Sequence, residues 1–176
     1  MAEPKTQANT RFITWLVVAL AIIAADQLTK WAIIEWVSLY EKVPLNSFIN
    51  LTHQRNTGAA FSFLADAGGW QRWFFVTLSA VVSCVIVVWL WRIRDQGQTV
   101  LAAGLALVLG GAVGNLIDRI MLGYVTDFIQ VWFGNWAFPS FNIADAGITV
   151  GAALLIIDAL FFSGSEEEPK PTNQTE

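Results

Sequence analysis

Residues 123–145 read GYVTDFIQVWFGNWAFPSFNIAD and lie between two long apolar segments. The stretch carries two carboxylates, Asp127 and Asp145, and no other charge. A short aromatic loop between apolar segments does not need acids for solubility. The two aspartates are therefore candidates for chemistry, and the flanking segments for the frame that holds them. That frame decides the fold. The chain is 55% hydrophobic and 14% charged, against about 25% charged residues in soluble domains. It is too apolar to cover itself with a wetted surface.

At 1.5 Å per residue, about 20 helical residues cross a bilayer. Working outward from residues 123–145, four spans are predicted, over about 12–34, 72–91, 99–119 and 141–162. The fold class expected is an all-α four-transmembrane-helix bundle, a single membrane-embedded domain over residues 1–162. Residues 1–10 are polar and read as a mobile tail. Residues 163–176, with Glu166, Glu167 and Glu168 and two prolines, read as a disordered cytoplasmic tail. Residues 35–69 form a long connection punctuated by Pro44, Asn46, Asn50, Asn56, Gly58, Gly68 and Gly69. Residues 48–53 alternate within it and predict a small β element on the outer face. Gly110/Gly114 and Gly147/Gly151 are small-residue faces that predict close packing of the third span on the fourth.

Several function classes fall away on composition. A net charge of −4 argues against a nucleic-acid partner. Cys84 and His53 are each the sole residue of their type, which excludes an internal disulfide, a thiolate cluster and a two-histidine zinc motif. No metal or cofactor is expected. An even number of spans puts both termini on one side. The seven-residue turn 92–98 holds Arg92 and Arg94 on that same side, and this density of basic residues places the termini in the cytoplasm.

This topology brings the polar residues to one depth. Asp26 and Lys30 sit late in the first span and share a helical face at i, i+4. Asn115, Asp118 and Arg119 sit late in the third span, and Asn142 and Asp145 open the fourth. Asn56 and Asp127 come from the outer connections. Charged residues at membrane depth face the bundle or a wet cavity and are functional by default. The expectation is one polar cleft, open sideways to lipid and upward to water. Two aspartates brought close cannot both ionise cheaply, so one can act as base while the other acts as acid. Peptide hydrolysis by water needs that division. Asp145, near a helix start, is the expected ionised partner. Asp118 reads as a local ion pair or interface charge. Arg119 reads either as its partner or as a donor to a substrate carbonyl. His53 reads as a loop residue without a catalytic part.

Five ordered blocks carry a family resemblance: DQLTK at 26–30, NTGAAFS at 56–62, GGAVGNLIDR at 110–119, VTDF at 125–128 and FNIAD at 141–145. Together they resemble lipoprotein signal peptidase (signal peptidase II), over about residues 26–151. The resemblance implies a multi-pass aspartyl protease of the bacterial inner membrane, with its active site near the periplasmic face. It would cleave the signal peptide from prolipoproteins just before a diacylglyceryl-modified cysteine. By matching position, Asp127 and Asp145 would be the catalytic dyad. Asn56, Asn115, Arg119 and Asn142 would line the substrate cleft, and Asp26 and Lys30 would be a structural polar pair. Gly58 is counted with the cleft because a flexible 56–58 turn lets backbone approach a substrate. Expected partners are the lipid-modified substrate and membrane lipids, with the enzyme itself a monomer.

Two other classes compete. A small proton- or ion-coupled transporter would also use a membrane Asp/Lys cluster. Against it, the four spans show no internal repeat, and the acids gather at one interface. A non-enzymatic assembly factor would use the 35–69 connection for docking. In the peptidase reading, that connection is instead a clamp over the cleft.

Overall fold

The computed structural model of the chain describes residues 5–58 and 68–162. Its elements in order are α1 (Lys5–Trp36), β1 (Lys42–Pro44), β2 (Ile49–Asn56), α2 (Trp70–Ile93), α3 (Thr99–Met121), β3 (Val125–Phe133), β4 (Trp136–Ala137) and α4 (Ile143–Phe161). The four helices are each long and apolar enough to cross a membrane. The molecule is a four-helix membrane protein with a small antiparallel sheet. The expected tail at 163–176 and part of the NTGAAFS block lie outside the described residues.

α3 is the central helix and packs against the other three. Its glycines explain how. A Cβ on Gly111 would collide with the carbonyl of Ala144, and one on Gly104 would meet Gly151 O at 3.0 Å and Leu155 Cδ2 at 2.9 Å. These two positions let α4 approach backbone to backbone. Gly110 corrects the sequence expectation. It faces α1, where a Cβ would meet Ala19 O at 2.8 Å. α3 thus needs small residues on two faces, because it is clasped from both sides. At the far end, a core of Leu90, Leu105, Leu109, Ile86 and Ile93 joins α2 to α3.

α1 also departs from expectation, since it begins at Lys5 where a mobile tail was expected through residue 10. The hydroxyls of Thr10 and Thr14 donate to carbonyls one turn back, at 2.9 Å each. Ala8 is buried. Residues 5–10 are thus the first turns of the helix.

The largest correction concerns residues 123–142, expected as a loop. Most of that stretch is strand. β3 pairs antiparallel with β2 from the first outer connection, with Asn56 opposite Val125 and Gln54 opposite Asp127. The sheet order is β1-β2-β3-β4. β3 shows no alternation at its start because Val125, Thr126, Asp127 and Phe128 are all buried, and a strand covered on both faces reads as a continuous run. β2 carries an irregularity between Leu51 and Gln54. The extra residue turns Thr52 and His53 inward in succession. His53 is therefore a buried strand residue, and its Nδ1 donates to Val37 O at 2.9 Å. β3 and β4 are joined by the two-residue turn Gly134-Asn135. Gly134 has φ 62°, the conformation a tight hairpin asks of its first turn residue. A second small core of Ile33, Val37 and Phe128 seats the sheet on the end of α1.

Candidate active site

α4 begins at a reciprocal cap. The side chain of Asn142 accepts from Asp145 N at 2.8 Å. The Asp145 carboxylate accepts from Asn142 N at 3.3 Å. This capping box satisfies two of the amides that every helix start leaves open. A third is met from another helix, where Asp26 Oδ1 on α1 accepts from Ala144 N at 2.9 Å.

The same asparagine reaches the other carboxylate. Asn142 Nδ2 donates to Asp127 Oδ1 at 2.7 Å. It also lies 3.3 Å from Asn115 Oδ1. Asn115 Nδ2 donates to Asp145 Oδ1 at 2.8 Å. Asn56 closes the other side of the site, with Nδ2 donating to Asp127 Oδ2 at 3.0 Å and Oδ1 accepting from Gly58 N at 3.0 Å. Asp127 and Asp145 thus sit one hydrogen bond from a shared residue, each with both oxygens engaged. Asp127 lies on β3, Asp145 on the first turn of α4, Asn115 on α3 and Asn56 on β2. No two of these four share an element.

Behind the pair is a buried ionic cluster. Lys30 Nζ contacts Asp26 Oδ2 at 2.7 Å, Asp118 Oδ2 at 3.1 Å and Asn115 Oδ1 at 3.0 Å. An ammonium has three donors, and all three are used. Asp118 pairs with Lys30 rather than with its chain neighbour Arg119. The two neighbours point apart on α3, and the charge that reaches Asp118 comes from α1. Asp118 also accepts from Gln27 Nε2 at 2.9 Å and from Thr126 N at 3.0 Å. The cluster therefore grips the backbone on both sides of the site, at Thr126 beside Asp127 and at Ala144 beside Asp145.

Arg119 turns the other way. Its Nη2 donates to Gly58 O at 2.8 Å, and its guanidinium lies over the Phe75 ring at 5.0 Å. The Arg119 carbonyl accepts from Arg72 Nε at 2.8 Å, and Arg72 Nη2 donates to Ile120 O at 2.8 Å. Arg72 thus closes the end of α3 with a charge of the right sign. The sequence reading treated Gln27 and Arg72 as background. Gln27 lies inside the DQLTK block, but Arg72 has no local signal, because its acceptors are 47 residues away.

The Asp127 carboxyl is pushed up from 3.8 to about 7. Burial is the main cause and the charge of Asp145 the second, partly offset by hydrogen bonds from Asn56 and Asn142. Near neutral pH this group is divided between acid and carboxylate. The described residues contain no group of three or more His, Cys, Asp or Glu able to hold a metal ion. Two neighbouring carboxyls of which one is raised in this way are able to act as acid and base on a bound water.

The sequence profile of the family described as Signal peptidase (SPase) II matches residues 18–161. A lipoprotein signal peptidase of Acinetobacter baumannii is 49% identical over 161 residues, covering 92% of this chain and 89% of that protein. One of Pseudomonas syringae pv. tomato is 50% identical over 157 residues, covering 87% and 90%. A solved structure titled as a bacterial membrane enzyme at 2.3 Å superposes with a TM-score of 0.78 at 29% identity, covering 89% of this chain and 93% of that one. These likenesses run through all four helices and the sheet, and they replace the transporter and assembly-factor alternatives with an enzyme. The chain belongs to the signal peptidase II family of aspartic peptidases.

Proposed function

We propose that this enzyme cleaves the signal peptide from diacylglyceryl-modified prolipoproteins, just before the lipidated cysteine, with Asp127 and Asp145 as the catalytic dyad. The observation that carries the reading is the bridge at Asn142, whose side-chain amide donates to the Asp127 carboxyl and whose backbone N–H donates to that of Asp145. Asp145, at the positive end of α4, acts as the base. It takes a proton from water as the oxygen attacks the scissile carbonyl carbon. Asp127 enters protonated and gives its proton to the carbonyl oxygen as the tetrahedral diol forms. Asp145 then passes the proton it took from water to the leaving amine as the C–N bond breaks, and a diol hydroxyl returns a proton to Asp127. Asn56, Gly58, Asn115, Arg119 and Asn142 line the cleft, and the Arg119 fork stands ready to hold a substrate carbonyl. Asp26 and Lys30 hold the frame.

The signal helix and its acyl chains enter sideways from lipid, with the first outer connection as a clamp. The enzyme works as a monomer in the bacterial inner membrane, its termini cytoplasmic and its site near the periplasmic face. The test is cleavage of a lipid-modified prolipoprotein in detergent by Asp127→Asn and Asp145→Asn separately. Each is expected to lose at least about a thousandfold in kcat, in line with removal of a unit that acts together. Wild-type turnover in either variant refutes the dyad.

A further inference from the structure

At the end of the bundle opposite the aspartates, α2, the turn after it and the start of α3 line a groove of about 720 Å³. Its long wall is a stripe of α2, Val85, Val88 and Trp89, all well exposed. Leu101 of α3 faces them. The groove ends at a polar mouth of Arg92, Gln96 and Gln98. A stripe at i, i+3, i+4 and i+7 that is apolar for three positions and cationic at the fourth is an amphiphile's complement. Hydrocarbon lies along the first three, and a negative headgroup meets the last.

The charges around the mouth favour one occupant. Arg94 is turned away, with its guanidinium over the Trp91 ring at 3.9 Å, which leaves Arg92 as the cation of the groove. The one acid of the turn, Asp95, is exposed and is not part of the lining. α3 starts beside the mouth at Gln98 with no side-chain cap and no acid in its first turn, so its positive end adds to Arg92. Gln96 Nε2 donates to Arg92 O at 3.3 Å, which leaves its second N–H and the amide of Gln98 as neutral donors for phosphate and glycerol oxygens.

We propose that this groove binds one anionic phospholipid of the leaflet opposite the active site, phosphate against Arg92 and one acyl chain along Val85, Val88 and Trp89. The lipid fills the space between α2 and α3 at the end remote from the chemistry, and is separate from the lipid carried by a substrate.

The test uses the full chain in maltoside detergent, with bound lipid counted by native mass spectrometry at equal phosphatidylglycerol and phosphatidylcholine. Phosphatidylglycerol is expected to be retained over phosphatidylcholine by about fivefold, the size one basic residue confers at a lipid surface. Arg92→Gln is expected to abolish the preference. Lys42→Gln removes an equal charge from the other end of the molecule and is expected to preserve it. Val88→Trp keeps the charge but fills the groove, and is expected to lower retention of both lipids. Equal retention of the two lipids by the wild type overturns the proposal. So does a preference that survives Arg92→Gln, one lost equally in Lys42→Gln, or retention untouched by Val88→Trp.

Discussion

Asn142 serves two purposes that substitutions can separate. Its carbonyl oxygen caps α4, and its amide nitrogen reaches Asp127. Asn142→Ala loses both, and is expected to lower stability by about 1 kcal/mol and to abolish turnover. Asn142→Ser keeps a capping oxygen but has no amide, so thermal denaturation should return toward wild type while cleavage stays absent. The acid role proposed for Asp127 gives a second prediction at this scale. Asp127 must be protonated to act as the acid, and it loses its proton near pH 7. The kcat/KM of the free enzyme should therefore fall about tenfold per pH unit above 7. Stability moves the same way. The folded-state value of this carboxyl lies above its ordinary 3.8, so its contribution is complete below that value and is lost as pH rises through about 7. The melting temperature should fall from about pH 4 to about pH 7 and level off above, and Asp127→Asn should flatten that fall. Much of this site was legible beforehand, because charged and amide side chains in apolar surroundings stand out at membrane depth. Partner choice was not. Asp118 took Lys30 over Arg119 for a reason of helix geometry, which places sequence neighbours about 100° apart around the axis.

At the scale of elements, the four helices were readable from long runs without charge, while half the sheet was not. β2 was readable in part from the alternation at 48–53, although the irregularity by Thr52 and His53 blurs its end, whereas β3 hides its alternation by being covered on both faces. Strand pairing across some 70 residues leaves no local mark in either partner. The small-residue contacts make a prediction that belongs here. A Cβ at Gly111 strikes the backbone of Ala144, next to Asp145, and one at Gly151 meets Gly104 O at 2.7 Å, two turns farther along α4. Both alanine variants should be destabilised by about 1–3 kcal/mol, as overpacked helix contacts are. Only Gly111→Ala should also lose kcat by more than the folded fraction explains, measured as activity per folded molecule in detergent.

For the whole molecule, the ionic cluster around Lys30 is the joint between bundle and roof. It links α1 to α3 directly, to β3 through Thr126 N, and to α4 through Asp26 and Ala144 N. Lys30→Met leaves two buried carboxylates without their cation. It should cost about 3–5 kcal/mol, seen as a large fall in melting temperature, whereas a surface change such as Lys42→Gln should stay within about 0.5 kcal/mol. The pairing of Asn56 with Val125 carries a consequence for how such a protein comes into being. That single register point brackets all of α2 and α3, and the last member of the site arrives only with α4. A chain that has threaded two or three helices into the bilayer has no aspartate pair and no proton to share. With the proposed dyad, the protease is expected to be inactive throughout its own insertion and to gain activity only once its final helix has docked, which cleavage assays on chains truncated before α4 would check.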